Sequence, residues 1–175
     1  MKACIICAPG VEECEALLVY DILFRAEVDV KLIGFSEEIT SSHNVTFKVN
    51  GLLDKENLND YDCLILPGGM PGKKNLEENS SVQKAIDDFM KDNKLIAALC
   101  SAPSILIKKG LLKDKEFTCF PGFEEGLEKL PVKAYKCRNI ITGCGLGGTI
   151  DFASLIVEEL ASKEKADEIL NRIGY

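Results

Sequence analysis

Short apolar runs separated by amphipathic stretches constrain this chain more than any other feature. Lys2–Ala8, Asp29–Phe35, Asp62–Leu66, Leu95–Leu99 and Ile140–Thr142 are each too brief for a helix, and most lack the polar alternation of a half-exposed strand. They read as strands buried on both faces of a parallel sheet. Between them, Glu12–Ala26 places Ala16, Leu17, Val19, Tyr20, Leu23 and Phe24 at helical spacing, and Ser80–Asp92 does the same with Val82, Ala85, Ile86, Phe89 and Met90. Ile150–Leu160 and Lys163–Ile173 complete the set of longer helices. Strands that alternate with helices in this way define an α/β fold with a mostly parallel sheet. At 175 residues, with no linker or repeat, residues 1–175 are expected to form one domain.

Weaker signals fill the gaps. Thr46–Val49 suggests a hairpin or edge strand, Leu52–Tyr61 an irregular acidic connection, and Pro67–Gly72 a Gly/Pro-rich loop. A short helix over Ala102–Lys109, closed by Gly110, precedes a strand candidate at Glu116–Cys119 and a short helix candidate at Glu124–Leu130. Ala134–Cys137 and Ile140–Thr142 read as paired short strands around Arg138-Asn139.

The run Leu95–Leu99 ends abruptly on a thiol, Cys100, followed by Ser101, Ala102 and Pro103. Proline suits a first helical turn, because its missing N–H has no partner there anyway. Cys100 therefore stands at a strand-to-helix elbow, the logic of the G-x-S-x-G nucleophile turn without that spelling. Free N–H groups and the positive end of a helix favour the thiolate there, which predicts a lowered pKa. The competing reading is a small buried hydrophobe, the ordinary fate of a free cysteine.

Composition narrows the function classes. A formal charge of −7 and only isolated lysine pairs, such as Lys73-Lys74 and Lys108-Lys109, argue against nucleic-acid binding. No apolar run approaches the ~18 residues of a membrane span, and the apolar start meets Glu12 and Glu13 too soon to be a signal peptide. A cytoplasmic location is expected, with most of the eight cysteines reduced.

Several motifs fail on inspection. Cys4-x-x-Cys7 lies on a strand, where residues three apart point to opposite faces, so neither a shared metal nor a disulfide is expected. Gly143-x-Gly145-x-x-Gly148 spells a dinucleotide fingerprint, but it sits late in the chain with only helix after it, so helix–sheet packing explains it better. Lys74 occupies the Ser/Thr place of a P-loop that would use Gly72-Lys73. No cofactor and no metal are expected. His43 is the only histidine and reads as a surface residue of a polar loop.

Glu15 belongs with Cys100. It lies one turn into the first helix, and in a parallel sheet the junctions after successive strands gather along one edge. The junctions at Glu15, at Pro67-Gly68-Gly69 and at Cys100 therefore converge. A carboxyl there can tune a thiol, and backbone N–H groups after Gly68-Gly69 can hold an oxyanion.

Pro9-Gly10-Val11-Glu12-Glu13-Cys14-Glu15, Leu66-Pro67-Gly68-Gly69, Ala97-Ala98-Leu99-Cys100-Ser101-Ala102-Pro103 and Gly147-Gly148-Thr149-Ile150-Asp151-Phe152-Ala153 resemble blocks of the DJ-1/PfpI (ThiJ) family, in order and over nearly the whole chain. The resemblance implies a flavodoxin-like three-layer sandwich, usually homodimeric, with a reactive elbow cysteine hydrogen-bonded to a protonated glutamate. Those residues map to Cys100 and Glu15, and the oxyanion donors to the N–H groups of Gly69 and Ser101. Gly68, Phe120 and Pro121 would line the pocket, and Cys14, Arg25 and His43 would lie near the dimer two-fold. The chain resembles bacterial members of the DJ-1-like branch, lacking the extra C-terminal segment of animal proteins.

One departure matters. Relatives in this branch commonly carry a His-Pro pair where this chain has Phe120-Pro121, and no imidazole is available there. Two functions follow from the resemblance: a redox-responsive protective protein whose Cys100 forms a sulfinate, or a cysteine-dependent glyoxalase or deglycase acting on methylglyoxal or a related carbonyl. The absent imidazole favours the first, because oxidation needs only an accessible thiolate whereas turnover needs proton transfer. Small oxidants or carbonyls at Cys100 are the expected partners, besides a second copy of the chain.

Overall fold

The computed structural model describes residues 1–175. Nine strands and six helices follow in the order β1 (Lys2–Cys7), α1 (Glu13–Arg25), β2 (Asp29–Gly34), β3 (Glu38–Thr40), β4 (Thr46–Lys48), β5 (Gly51–Leu52), β6 (Cys63–Leu66), α2 (Gly72–Glu78), α3 (Ser80–Lys91), β7 (Leu95–Leu99), α4 (Pro103–Lys108), β8 (Ala134–Cys137), β9 (Ile140–Gly143), α5 (Thr149–Leu160) and α6 (Lys163–Ile173). Seven strands form the central sheet in the order β5-β2-β1-β6-β7-β9-β8. Every pairing in it is parallel except the β8–β9 hairpin at one edge.

The apolar runs are buried because both faces of the sheet are covered. Ala3, Ile5 and Cys7 face a core shared with α1, α5 and α6, while Cys4 and Ile6 face a second core under α2, α3 and α4. Cys4 and Cys7 thus lie on opposite faces, as their spacing predicts, and both thiols are free. No helix is long and apolar enough to cross a membrane.

Two of the weaker expectations are overturned. Glu116–Cys119 is not a strand: the Thr118 N–H donates to the Thr142 hydroxyl at 3.0 Å, the Leu130 N–H returns to the Phe117 carbonyl at 2.8 Å, and no ladder forms. Phe117, Thr118 and Cys119 are all buried, so the segment plugs the core as irregular chain. Glu124–Leu130 is not a helix, because Glu125 and Gly126 adopt positive φ angles of 49° and 83° that interrupt it. The Gly/Pro loop runs into the helix α2 at Gly72, and the earlier Leu52–Tyr61 connection begins in β5, at the far sheet edge. The hairpin appears as β3–β4, outside the main sheet.

From β1 the chain moves outward to β2 and then β5, and it returns to lay β6 on the other side of β1. The direction of winding reverses between β1 and β6. In open parallel sheets, the crevice beyond the carboxyl ends of the strands at such a reversal is where ligands bind.

Candidate active site

The turn after β6 and the turn after β1 meet at that crevice. The Glu12 N–H donates to the Gly68 carbonyl at 3.0 Å, and the Gly72 N–H to the Gly10 carbonyl at 3.0 Å. Gly69 has φ +92°, and a Cβ on it would lie 2.3 Å from the Glu12 nitrogen, so only glycine allows the two turns to close. Glu12 caps α1, its Oε2 accepting the Glu15 N–H at 2.7 Å. That fixes the first turn of α1 and hence the direction of Glu15.

Glu15 is 1% exposed and reaches across to β6, where its Oε2 accepts the Gly68 N–H at 2.8 Å. Oε1 is also buried and pairs with no other nitrogen or oxygen. Burial pushes the Glu15 carboxyl up to about 7, against the lowering effect of the Gly68 and Cys100 hydrogen bonds. A carboxyl held protonated near neutrality can donate from the oxygen that has no other partner.

Cys100 closes the elbow after β7 with φ +63°, a strained setting for a residue with a Cβ. Its N–H donates to the Gly143 carbonyl at 2.9 Å, and its carbonyl accepts the Phe120 N–H at 2.8 Å, so two neighbouring segments hold the strained turn. The thiol is half-buried and lies against Glu15. A Cβ on Gly68 would stand 2.6 Å from Cys100 Cβ, 2.9 Å from Glu15 Oε2 and 3.1 Å from the sulfur, which shows how tightly the three fit. The backbone N–H groups of Gly69 and Ser101 lie on the sulfur side of the pocket, where they favour the thiolate.

The elbow position at a helix start predicts a lowered Cys100 pKa, and the structure corrects it. Burial, followed by the negative charge of Glu15, pushes the thiol well above its ordinary value, and the N–H groups of Ser101 and Gly69 offset only part of this. Glu15 and Cys100 occupy one dry corner and titrate as a pair. Once the carboxyl holds its proton, the Glu15 charge disappears and a hydrogen bond to the thiolate replaces it.

Cys100, Glu15, Gly68, Gly69 and Ser101 therefore come together. Phe120 stands at the mouth, about half exposed, on the far side of Gly145: a Cβ there would lie 3.1 Å from Phe120 Cδ2 and 3.5 Å from the sulfur. Pro121 continues the same exposed turn. Two contributors escape the sequence reading. Gly145 forms a wall of the pocket, although its glycine loop signals only packing, and Glu12 orients Glu15 through a cap whose only sequence trace is the acidic pair at the helix start.

Cys14, Arg25 and His43 do not form one cluster. His43 packs against Glu13, whereas Arg25 sits at the opposite end of α1 paired with Asp21 at 2.7 Å. Cys14 is exposed on the first turn of α1.

A parallel α/β sheet with a strained cysteine elbow at its winding reversal, backed by a buried glutamate, defines a class of cysteine-centred flavodoxin-like proteins. Residues 1–159 match the model of the DJ-1/PfpI family, and the chain belongs to that family. It is 34% identical to Protein dj-1beta of Drosophila melanogaster over 96% of this chain and 94% of that one. The crystal structure of Drosophila melanogaster DJ-1beta superposes with a TM-score of 0.92 at 33% identity, covering 98% of this chain and 96% of the other. The structure of oxidized Toxoplasma gondii DJ-1 gives 0.93 at 29% identity, covering 99% and 98%.

Proposed function

We propose that the protein is a redox-responsive, protective member of its family in which peroxide oxidises Cys100 to a sulfinate. One observation carries the reading: Gly69 N–H, Ser101 N–H and the Glu15 carboxyl converge on a single sulfur. The thiolate attacks one peroxide oxygen, the O–O bond breaks, and hydroxide leaves as water with the proton from Glu15. The sulfenic acid formed returns its proton to Glu15, and a second peroxide repeats the step on the sulfenate, releasing a second water and leaving the sulfinate. The two N–H donors and the carboxyl then face the new oxygens, and charge-assisted bonds of this kind are worth about 1.5–3 kcal/mol each. A relative of the same fold has been solved in an oxidized form, which supports the reading. The test is mass spectrometry of intact protein under graded peroxide, with the modified residue mapped. Two added oxygens on Cys100, and a slower or less durable product in Glu15→Ala, are expected; oxidation of Cys14 first, or equal yields in the variant, would remove the assignment.

The same donors suit the oxyanion formed when Cys100 adds to methylglyoxal, the glyoxalase or deglycase alternative. Glu15 is the one titratable side chain acting on the thiol, so it would have to carry every proton.

We further propose a homodimer built on the outer face of α1. Phe24 is 64% exposed and stacks on Tyr20 at 6.1 Å, giving that face an aromatic patch beside Arg25. A cytoplasmic location accords with eight free cysteines. Light scattering at micromolar concentration should give twice the chain mass, and Phe24→Glu should halve it. A monomeric parent protein would overturn the assembly.

A further inference from the structure

The single imidazole of the chain has a defined setting that the proposed function does not use. The loop carrying His43 is tied onto the turn before α1: the Ser42 N–H donates to the Val11 carbonyl at 2.8 Å, and the Ser41 hydroxyl accepts the N–H groups of His43 and Val45 at 3.3 and 3.1 Å. His43 Nδ1 then lies 3.1 Å from Glu13 Oε2, 3.8 Å from Glu12 Oε1 and 3.3 Å from the Ser42 hydroxyl. One donor atom from each of Glu12, Glu13 and His43 falls within 4.8 Å of the other two.

Capping of α1 explains only part of this arrangement. Glu12 uses Oε2 for the cap, while Oε1 accepts no hydrogen bond within the chain although the residue is only 9% exposed. The imidazole hydrogen-bonds Glu13, and that oxygen has only a longer approach of 3.8 Å to the same ring nitrogen. A third charge of opposite sign would satisfy all three groups at once.

We propose that Glu12, Glu13 and His43 form a site for a first-row divalent cation of the zinc type, with water completing the coordination. Zinc–nitrogen and zinc–oxygen bonds of ~2.0–2.2 Å at tetrahedral angles place ligand atoms ~3.4 Å apart. The observed separations of 3.1 and 3.8 Å bracket that value. An imidazole with two carboxylates suits zinc, cobalt or nickel, whereas magnesium and calcium prefer all-oxygen sets. The α1 terminus opposes a cation with about half a positive charge, against two full negative charges from the glutamates. Three protein ligands at a surface leave a position open to solvent or to a ligand atom.

Cobalt(II) is the probe, because its absorption separates nitrogen/oxygen ligation from thiolate ligation in a chain with eight cysteines. Full-length protein should bind one equivalent by equilibrium dialysis, with d–d bands and without sulfur-to-cobalt charge transfer, and Cys100→Ser should bind equally. His43→Ala and Glu13→Gln should each weaken binding at least about tenfold. The His43 side chain is exposed and that of Glu13 mostly covered, and circular dichroism of each variant checks that the fold is kept. Absence of binding, charge-transfer bands from sulfur, or undiminished binding by His43→Ala would each overturn the site. Peroxide chemistry at Cys100 is read separately and bears on neither result.

Discussion

Burial holds the Glu15 carboxyl up to about 7, so near neutral pH the pair with Cys100 loses its first proton. The resulting single charge is shared between carboxylate and thiolate, and the thiolate share then stays constant until the second proton leaves, well above the ordinary thiol range. Alkylation of Cys100 should therefore rise with pH, bend near 7 and level off, whereas Glu15→Gln should show no bend there. Rates measured by mapped iodoacetamide labelling from pH 5 to about 9 check this, and a bend that persists in the variant would assign it to another group. Both partners are legible in the sequence, because an apolar run that stops at Cys-Ser-Ala-Pro and an acid one turn into the first helix are local patterns. The ionisation is not legible. A helix start beside Cys100 is visible in the chain, but the burial that outweighs it comes from Glu15, Gly68 and the Gly145 loop, which only the folded sheet brings near.

The elements around the pocket differ in how well local sequence describes them. The buried strands and the long helices α1, α3, α5 and α6 follow from periodicity, since each helix buries one face, α1, α3 and α5 against the sheet and α6 against α5. Glu116–Cys119 shows the limit: a run with Phe, Thr and Cys looks like a strand, yet its N–H at Thr118 finds the Thr142 side chain and its end is spent on holding the elbow, through the Phe120 N–H on the Cys100 carbonyl. That bond fixes Phe120 at the mouth of the site, separated from the sulfur by Gly145. A phenyl ring there adds bulk without a proton. Replacing it by imidazole, in Phe120→His, should raise any Cys100-dependent conversion of methylglyoxal to lactate, general acid-base help being worth ~10²–10⁴ in rate. Lactate production by parent protein, Phe120→His and Phe120→His with Cys100→Ser measures it. A parent already as fast as the variant would shift the balance from oxidation towards the carbonyl reaction.

At the scale of the whole molecule, the two cores on either side of the sheet supply the burial that raises Glu15, so the site draws on global stability. The sign of the coupling follows from proton counting. Between the ordinary glutamate value of 4.5 and the folded value of about 7, the native state binds a proton that the unfolded chain has released. Stability contributed by this group is therefore full below the unfolded value and is lost as pH rises through the folded one, the reverse of a salt-bridged carboxylate. A shift of that size corresponds to about 3 kcal/mol at most, lost across roughly pH 4.5 to 7. Glu15→Gln keeps an oxygen for the Gly68 N–H and carries no charge at any pH. Urea unfolding at pH 5 and pH 8 should consequently show the parent losing more stability than the variant, by 1–3 kcal/mol as an order-of-magnitude range. Subtracting the variant removes the contribution of the other titrating groups, including the exposed ion pairs, so the difference reports Glu15 and its coupling to Cys100. Parallel stability profiles would mean that Glu15 ionises in the folded protein as it does in water, and the buried proton that the peroxide step uses would not be there to give.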